Sequence, residues 1–138
     1  MSDASHPAVT VLVPCRNEER FIGACLDSIL KNDYPKERLE ILVIDGMSQD
    51  ETRSIVSRYV TQYPSIRLVD NIQLITPCAF NVGIAESRGE IILIMGAHAE
   101  YSSTYISRLV DWLAQSGADN VGGLCMPLRR LFNRKARG

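Results

Sequence analysis

Paired cysteines are missing from this sequence. Cys15, Cys25, Cys78 and Cys125 are scattered, with no C-x-x-C and no metal-ligand spacing, which excludes a zinc ribbon or a thioredoxin-type motif. Reduced thiols in apolar contexts pack as small hydrophobes, so the expected compartment is the cytoplasm. An excess of one charge is missing too. Lys and Arg number 15 against 16 Asp and Glu, a net charge of −1, so no global field draws the chain to nucleic acid or a membrane. No apolar run approaches the roughly 20 residues of a spanning helix. Residues 1–7 have neither the basic nor the apolar region of a signal peptide and read as a flexible tail. There is no internal repeat and no low-complexity segment. Neither G-x-x-x-x-G-K nor G-x-G-x-x-G follows the first strand, so the usual ATPase and dinucleotide fingerprints are absent.

What remains is one domain's worth of core: 138 residues, 46% hydrophobic and 22% charged. The domain is expected over residues 8–126, followed by a basic tail, 127–138, without clear periodicity. The chain is organised around Gly89–Tyr101. Five apolar residues, Ile91 to Met95, stand between a glycine and Gly96-Ala97-His98-Ala99-Glu100, the signature of a strand buried on both faces.

Upstream, Val9–Pro14 reads as a strand ended by its proline. Asn17 is placed to cap a helix with Glu18 and Glu19 in its first turn, and the helix's apolar face runs from Phe21 to Leu30. The N–H groups at that helix start are candidates to face a phosphate or ribose. Glu40–Asp45 is a second strand, broken by Gly46. Ser48 and Glu51 have the spacing of a capping box, with Asp50 in the first turn of the helix that follows. Ile66–Asp70 is a third strand. Thr76-Pro77 opens a helix that runs to about Ser87 and is stopped by Gly89. After the central stretch, Ser102 or Ser103 caps a helix carrying Tyr105, Ile106, Leu109, Val110 and Leu113, closed by Gly117. Asn120–Cys125 reads as a last strand. The order β-α-β-α-β-α-β-α-β predicts an α/β fold around a mostly parallel sheet.

In a parallel sheet, Pro14–Glu18, Asp45–Asp50 and Gly96–Glu100 converge on one edge, where open α/β sheets bind ligands. Asp45 either contacts a base or ribose or shapes the turn into Gly46. Asn17 is a cap first and a ligand contact second. His98 and Glu100, two residues apart, share one side of an extended segment; the pair is placed to hold a divalent ion or to orient a phosphate, and for His98 alone the alternative is a turn histidine bonded to backbone.

The motifs Val11-Leu-Val-Pro-Cys-Arg-Asn-Glu-Glu19, Ile44-Asp-Gly-Met-Ser-Gln-Asp-Glu-Thr52, Ala79-Phe-Asn-Val-Gly-Ile84 and Ser87-Arg-Gly-Glu-Ile-Ile92 together resemble the inverting family 2 glycosyltransferases. Ala97-His-Ala-Glu-Tyr101 resembles their succinoglycan-type exopolysaccharide branch. The resemblance implies the Rossmann-like GT-A fold, a three-layer α/β/α domain truncated here after its donor-binding half. It implies a nucleotide-sugar donor, commonly UDP-linked, a Mg²⁺ or Mn²⁺ ion, and a polysaccharide or lipid-linked acceptor. Pro14, Cys15, Asn17 and Glu18 fall on the base and ribose pocket. Asp45 and Gly46 fall on the nucleotide contact after the second strand, Asn81 on the Asn-x-Gly element, and Gly96, Ala97 and His98 on the D-x-D element.

Two departures stand out. Gly96 replaces the first aspartate of D-x-D, and Phe80 replaces an arginine that many relatives have before the Asn. The catalytic base of the family lies beyond residue 138, so no residue here is assigned to it and the chain alone is expected to be inactive. Under this reading a longer gene product with membrane helices would bring the basic tail to anionic lipid, although a solvated charged loop is the preferred reading of that tail, and apolar surface left by a missing half would favour a dimer. A non-catalytic nucleotide-binding or interaction domain is the alternative.

Overall fold

The computed structural model describes residues 6–73, 76–116 and 128–129. The elements are β1 (Val9–Cys15), α1 (Ile22–Leu30), a single 3₁₀ turn (Lys36–Arg38), β2 (Leu39–Asp45), α2 (Thr52–Gln62), β3 (Ile66–Asp70), α3 (Thr76–Glu86), β4 (Ile91–Ile94), α4 (Tyr105–Ser116) and β5 (Leu128–Arg129). The strand read over Asn120–Cys125 and the Gly117 stop lie outside the described residues. So does the side chain of Thr76.

The sheet order is β3-β2-β1-β4-β5. The first four strands are parallel, and β5 pairs antiparallel with β4 through Leu128 and Arg129. That pair falls in what the sequence suggested was a basic tail. From β1 the chain steps outward to β2 and β3, then returns to the other side of β1 to form β4. A reversal of this kind opens a crevice beyond the carboxyl ends of the two strands that flank it, here β1 and β4.

Continuous β-branched and aliphatic runs make β1, β2 and β4 buried on both faces. Val9, Val11 and Val13 of β1 pack with Ile22, Leu26 and Ile29 of α1, Val56 of α2, and Ile106, Val110 and Leu113 of α4. The opposite face is smaller. Leu12, Leu42, Ile44 and Ile92 meet Ala79 and Val82 of α3.

β1 runs through Pro14 to Cys15, one residue past the expected proline stop. Leu12 C=O accepts from Met95 N–H on the β4 side, and Cys15 C=O accepts from Gly46 N–H on the β2 side. Backbone groups of Pro14 therefore face the β4 side, where pairing with β1 has ended at Ile94, and no ladder bond is lost there. Gly89 also differs from its expected role. α3 ends at Glu86, and Gly89 is needed because a Cβ there would lie 2.6 Å from Thr10 N.

Candidate functional site

The carboxyl ends of β1, β2 and β4 meet at one edge of the sheet, as the strand order requires. A cleft of about 320 Å³ opens there, walled by Pro14, Cys15, Arg16, Glu18, Gly46, Asn71, Ala79, Gly96, Ala97 and His98. Seven of the residues predicted from sequence line it: Pro14, Cys15, Glu18, Gly46, Gly96, Ala97 and His98. Arg16, Asn71 and Ala79 join them unpredicted. Arg16 lays its aliphatic stem over Gly46, where a Cβ would stand 3.4 Å from its Cβ and Cδ. Asn71 follows β3 directly and is 3% exposed, with its N–H donating to Asp45 C=O at 2.8 Å.

Asp45 lies behind this wall. It is fully buried at the end of β2. Its Oδ2 accepts from Ser48 N–H and from Arg53 Nη1–H, each at 2.8 Å, and its Oδ1 accepts from the Ser48 hydroxyl and, weakly, from the Cys15 thiol at 3.6 Å. Burial by itself would raise the carboxyl's pKa, but the Ser48 and Arg53 bonds outweigh it and hold the group below the usual carboxylate range. The Arg53 guanidinium, which also bridges to Asp70 at 2.8 Å, is pushed up in turn, first by its bond to Asp45. Asp45 thus shapes the turn into Gly46 and anchors α2. The same carboxylate acts on Cys15. Burial first, and then the neighbouring charge of Asp45, drive that thiol's pKa far up, which makes it a packing group and not a nucleophile.

Asn17 is not a helix cap. It sits in the left-handed region at φ 54°, which asparagine tolerates better than most residues, and its Oδ1 accepts from Gln49 N–H at 2.8 Å. The residue at the start of α1 is Phe21, whose side chain cannot cap. Neither Glu18 nor Glu19 lies in the first helical turn. The Ser48–Glu51 capping box is replaced as well, because the Ser48 hydroxyl is engaged by Asp45 and by Asn17 N–H.

Instead, the loops after β1 and β2 bond to each other. Glu18 N–H donates to Thr52 Oγ1 at 2.8 Å, Glu19 N–H to Asp50 Oδ2 at 3.3 Å, and Glu51 N–H to Glu19 Oε1 at 2.9 Å. Asp50 sits just ahead of α2. Burial would raise its pKa, and bonds from the Thr52 hydroxyl and N–H bring it down. The amides expected to face a phosphate are therefore taken by the neighbouring loop.

On the β4 side, residues 97 and 98 form a turn and not an extended segment, so His98 and Glu100 do not act as a same-side pair. His98 Nε2 lies 3.1 Å from Glu18 Oε1, and its ring centroid is 5.3 Å from that of Phe21. This is a contact with a side chain and not the backbone bond of a turn histidine. Asn81 stands exposed on α3, and neither it nor Glu100 is in the wall of the cleft. No group of three or more His, Cys, Asp or Glu among the described residues is arranged to hold a metal ion. One carboxylate and one imidazole at the cleft do not make a stand-alone site for an ion that takes about six ligands.

Residues 10–134 match glycosyl transferase family 2. The chain belongs to that family. It is 33% identical over 118 residues to the glycosyltransferase AglE of Haloferax volcanii, covering 85% of this chain and 39% of AglE. It is 31% identical over 113 residues to the succinoglycan biosynthesis protein ExoA of Rhizobium meliloti, covering 80% of this chain and 34% of ExoA. Among solved structures, the mannosyltransferase PcManGT of Pyrobaculum calidifontis, in complex with GDP-Man and Mn²⁺, superposes with a TM-score of 0.86 at 26% identity. That match covers 96% of this chain and 47% of PcManGT. The chain thus spans between a third and a half of the length of these relatives. Family 2 membership and the GT-A fold agree with the resemblance seen in the motifs, and the likeness to ExoA agrees with the branch read from Ala97–Tyr101.

Proposed function

We propose that this chain is the donor-binding domain of a glycosyltransferase that takes a sugar from a nucleotide-sugar, commonly UDP-linked in the family it resembles, to a polysaccharide or lipid-linked acceptor with inversion. The observation that carries this reading is the cleft at the β1/β4 reversal, seven of whose ten lining residues are site residues expected from the family resemblance. In the reaction, an acceptor hydroxyl attacks the anomeric carbon in line, the bond from that carbon to the diphosphate oxygen breaks, and a base takes the hydroxyl proton. Glu18 is the one carboxylate in the described wall of the cleft, and it is engaged by His98. The chain by itself therefore binds donor without transferring sugar, and it works in the cytoplasm.

A divalent cation is expected in the family, and PcManGT was solved with Mn²⁺. The described residues by themselves do not form a site for it, so no step is routed through a metal. The experiment is calorimetric titration of UDP, UDP-glucose, GDP and GDP-mannose, with and without Mn²⁺, on the natural protein and on Gly96→Asp. A Cβ at Gly96 would meet only Tyr101 Oη, at 3.9 Å, so there is room for the side chain. Binding in the natural protein supports the reading. Silence toward all four in both folded proteins overturns it and favours a second reading, a non-catalytic interaction domain, whose motivating observation is glycine in place of the D-x-D carboxylate.

A further inference from the structure

The walls of the cleft are unequal, and the inequality orients a ligand. Beyond the end of β3, Asn71 is 3% exposed. At the β4 end, the His98 side chain is 70% exposed and Phe21 is 43% exposed. A glycosyl group must be reachable by an acceptor arriving from solvent, because its anomeric carbon is the atom attacked. A nucleobase has no such need and gains from a buried slot with an amide to read its edge. The donor's sugar accordingly belongs at the exposed β4 end.

Phe21 stands at that end. It is the residue before α1, a large apolar ring left partly in water. Its ring lies against the His98 ring, centroids 5.3 Å apart and planes tilted by 40°, and His98 Nε2 lies 3.1 Å from Glu18 Oε1. His98 is in the wall of the cleft, and the Phe21 ring stands beside it. A pyranose has one face rich in C–H groups and polar edges. An aromatic ring offers that face an electron-rich surface while leaving the hydroxyls free for water.

Resting on the donor reading above, we infer that Phe21, backed by His98, is a sugar-contacting residue that makes the cleft favour a nucleotide-sugar over the bare nucleotide.

The test is calorimetry on the full 138-residue chain carrying Phe21→Ala, Phe21→Leu or Phe21→Trp, with UDP against UDP-N-acetylglucosamine and GDP against GDP-mannose. For whichever pair binds the natural protein, Phe21→Ala and Phe21→Leu should weaken the nucleotide-sugar roughly five-fold and leave the bare nucleotide within about two-fold. Phe21→Trp should keep the preference, since it keeps the aromatic face. Phe21 is exposed, so these variants retain the fold, which circular dichroism checks. Equal weakening of nucleotide and nucleotide-sugar would show that Phe21 only props His98, and overturns the inference. So does no change in either. If the natural protein binds none of the four, the donor reading fails first and the sugar contact with it; that outcome is recognised without any variant.

Discussion

His98 Nε2 and Glu18 Oε1, 3.1 Å apart, join the loop after β4 to the loop after β1 across the point where the strand order reverses. The contact spans the cleft's open end and is largely in solvent on the histidine side. An exposed pair of this kind contributes at most about 1 kcal/mol to stability. Glu18→Gln and His98→Gln should each shift the unfolding free energy by less than about that amount, while both weaken nucleotide binding because both line the cleft. Urea denaturation and calorimetry read the two effects separately. A loss of several kcal/mol in stability would mean the pair holds the fold and not the site.

Asp45 should behave in the opposite way. Its carboxylate is buried and bonded by Ser48 and Arg53, and removing one partner of such a cluster costs about 3 kcal/mol. Asp45→Ala is expected to lose about that much by urea denaturation. The folded pKa lies below the unfolded one, so this contribution is fully present above the unfolded value, about 4. It is lost as pH falls through the folded value. Stability measured from pH 6 down to pH 2 should fall less steeply in Asp45→Asn than in the natural protein.

Thiol labelling offers a third check. Cys15 is buried beside a carboxylate, and Cys25 is buried in the core under α1. Cys78 is partly exposed and donates to Gln73 Oε1 at 2.9 Å. Under native conditions near pH 7.5, iodoacetamide should modify Cys78 well before Cys15 or Cys25, as read by peptide mass mapping. Fast modification of Cys15 would show that its thiol faces the cleft as an accessible group.

The two glycines that bracket β4 should respond differently to alanine. At Gly89 a Cβ meets the backbone of Thr10 at 2.6 Å, which cannot give way without parting β1 from the incoming chain. At Gly96 it meets only a tyrosine hydroxyl at 3.9 Å. Gly89→Ala is expected to lose about 2 kcal/mol or more, and Gly96→Ala to be near neutral; differential melting curves compare them directly.

The frame of the fold was legible because its signals are local. Apolar runs at 11–13, 41–44 and 91–95 announce strands buried on both faces, and the alternation of strands with amphipathic segments announces a parallel sheet. Seven cleft residues followed from asking what stands at the end of each strand. Asn71 would have followed from putting the same question to β3. Arg16 lay inside a quoted motif, but nothing in its spacing says that its stem covers Gly46. The caps failed for a common reason. Asn17 and Ser48 have the chemistry of helix caps, yet their partners, Gln49 and Asn17, lie 32 and 31 residues away in sequence. A local pattern cannot show that a distant loop offers a better bond. The side-by-side placement of His98 and Glu100 failed because a turn at residues 97 and 98 breaks the alternation of an extended chain.

The bonding of the β1 and β2 loops to one another has a consequence for how the cleft can adapt. Each residue held in a single backbone conformation costs roughly 1–2 kcal/mol of entropy, and the bonds between residues 17–19 and 48–52 hold these loops without the help of a ligand. A nucleotide meets a finished surface on this side, so binding there resembles a key entering a set lock. Substitution in either loop disturbs its neighbour as well, which makes the pair costly to alter one residue at a time. The β4 side carries its contacts on exposed rings, and there new preferences can be acquired without rebuilding the fold.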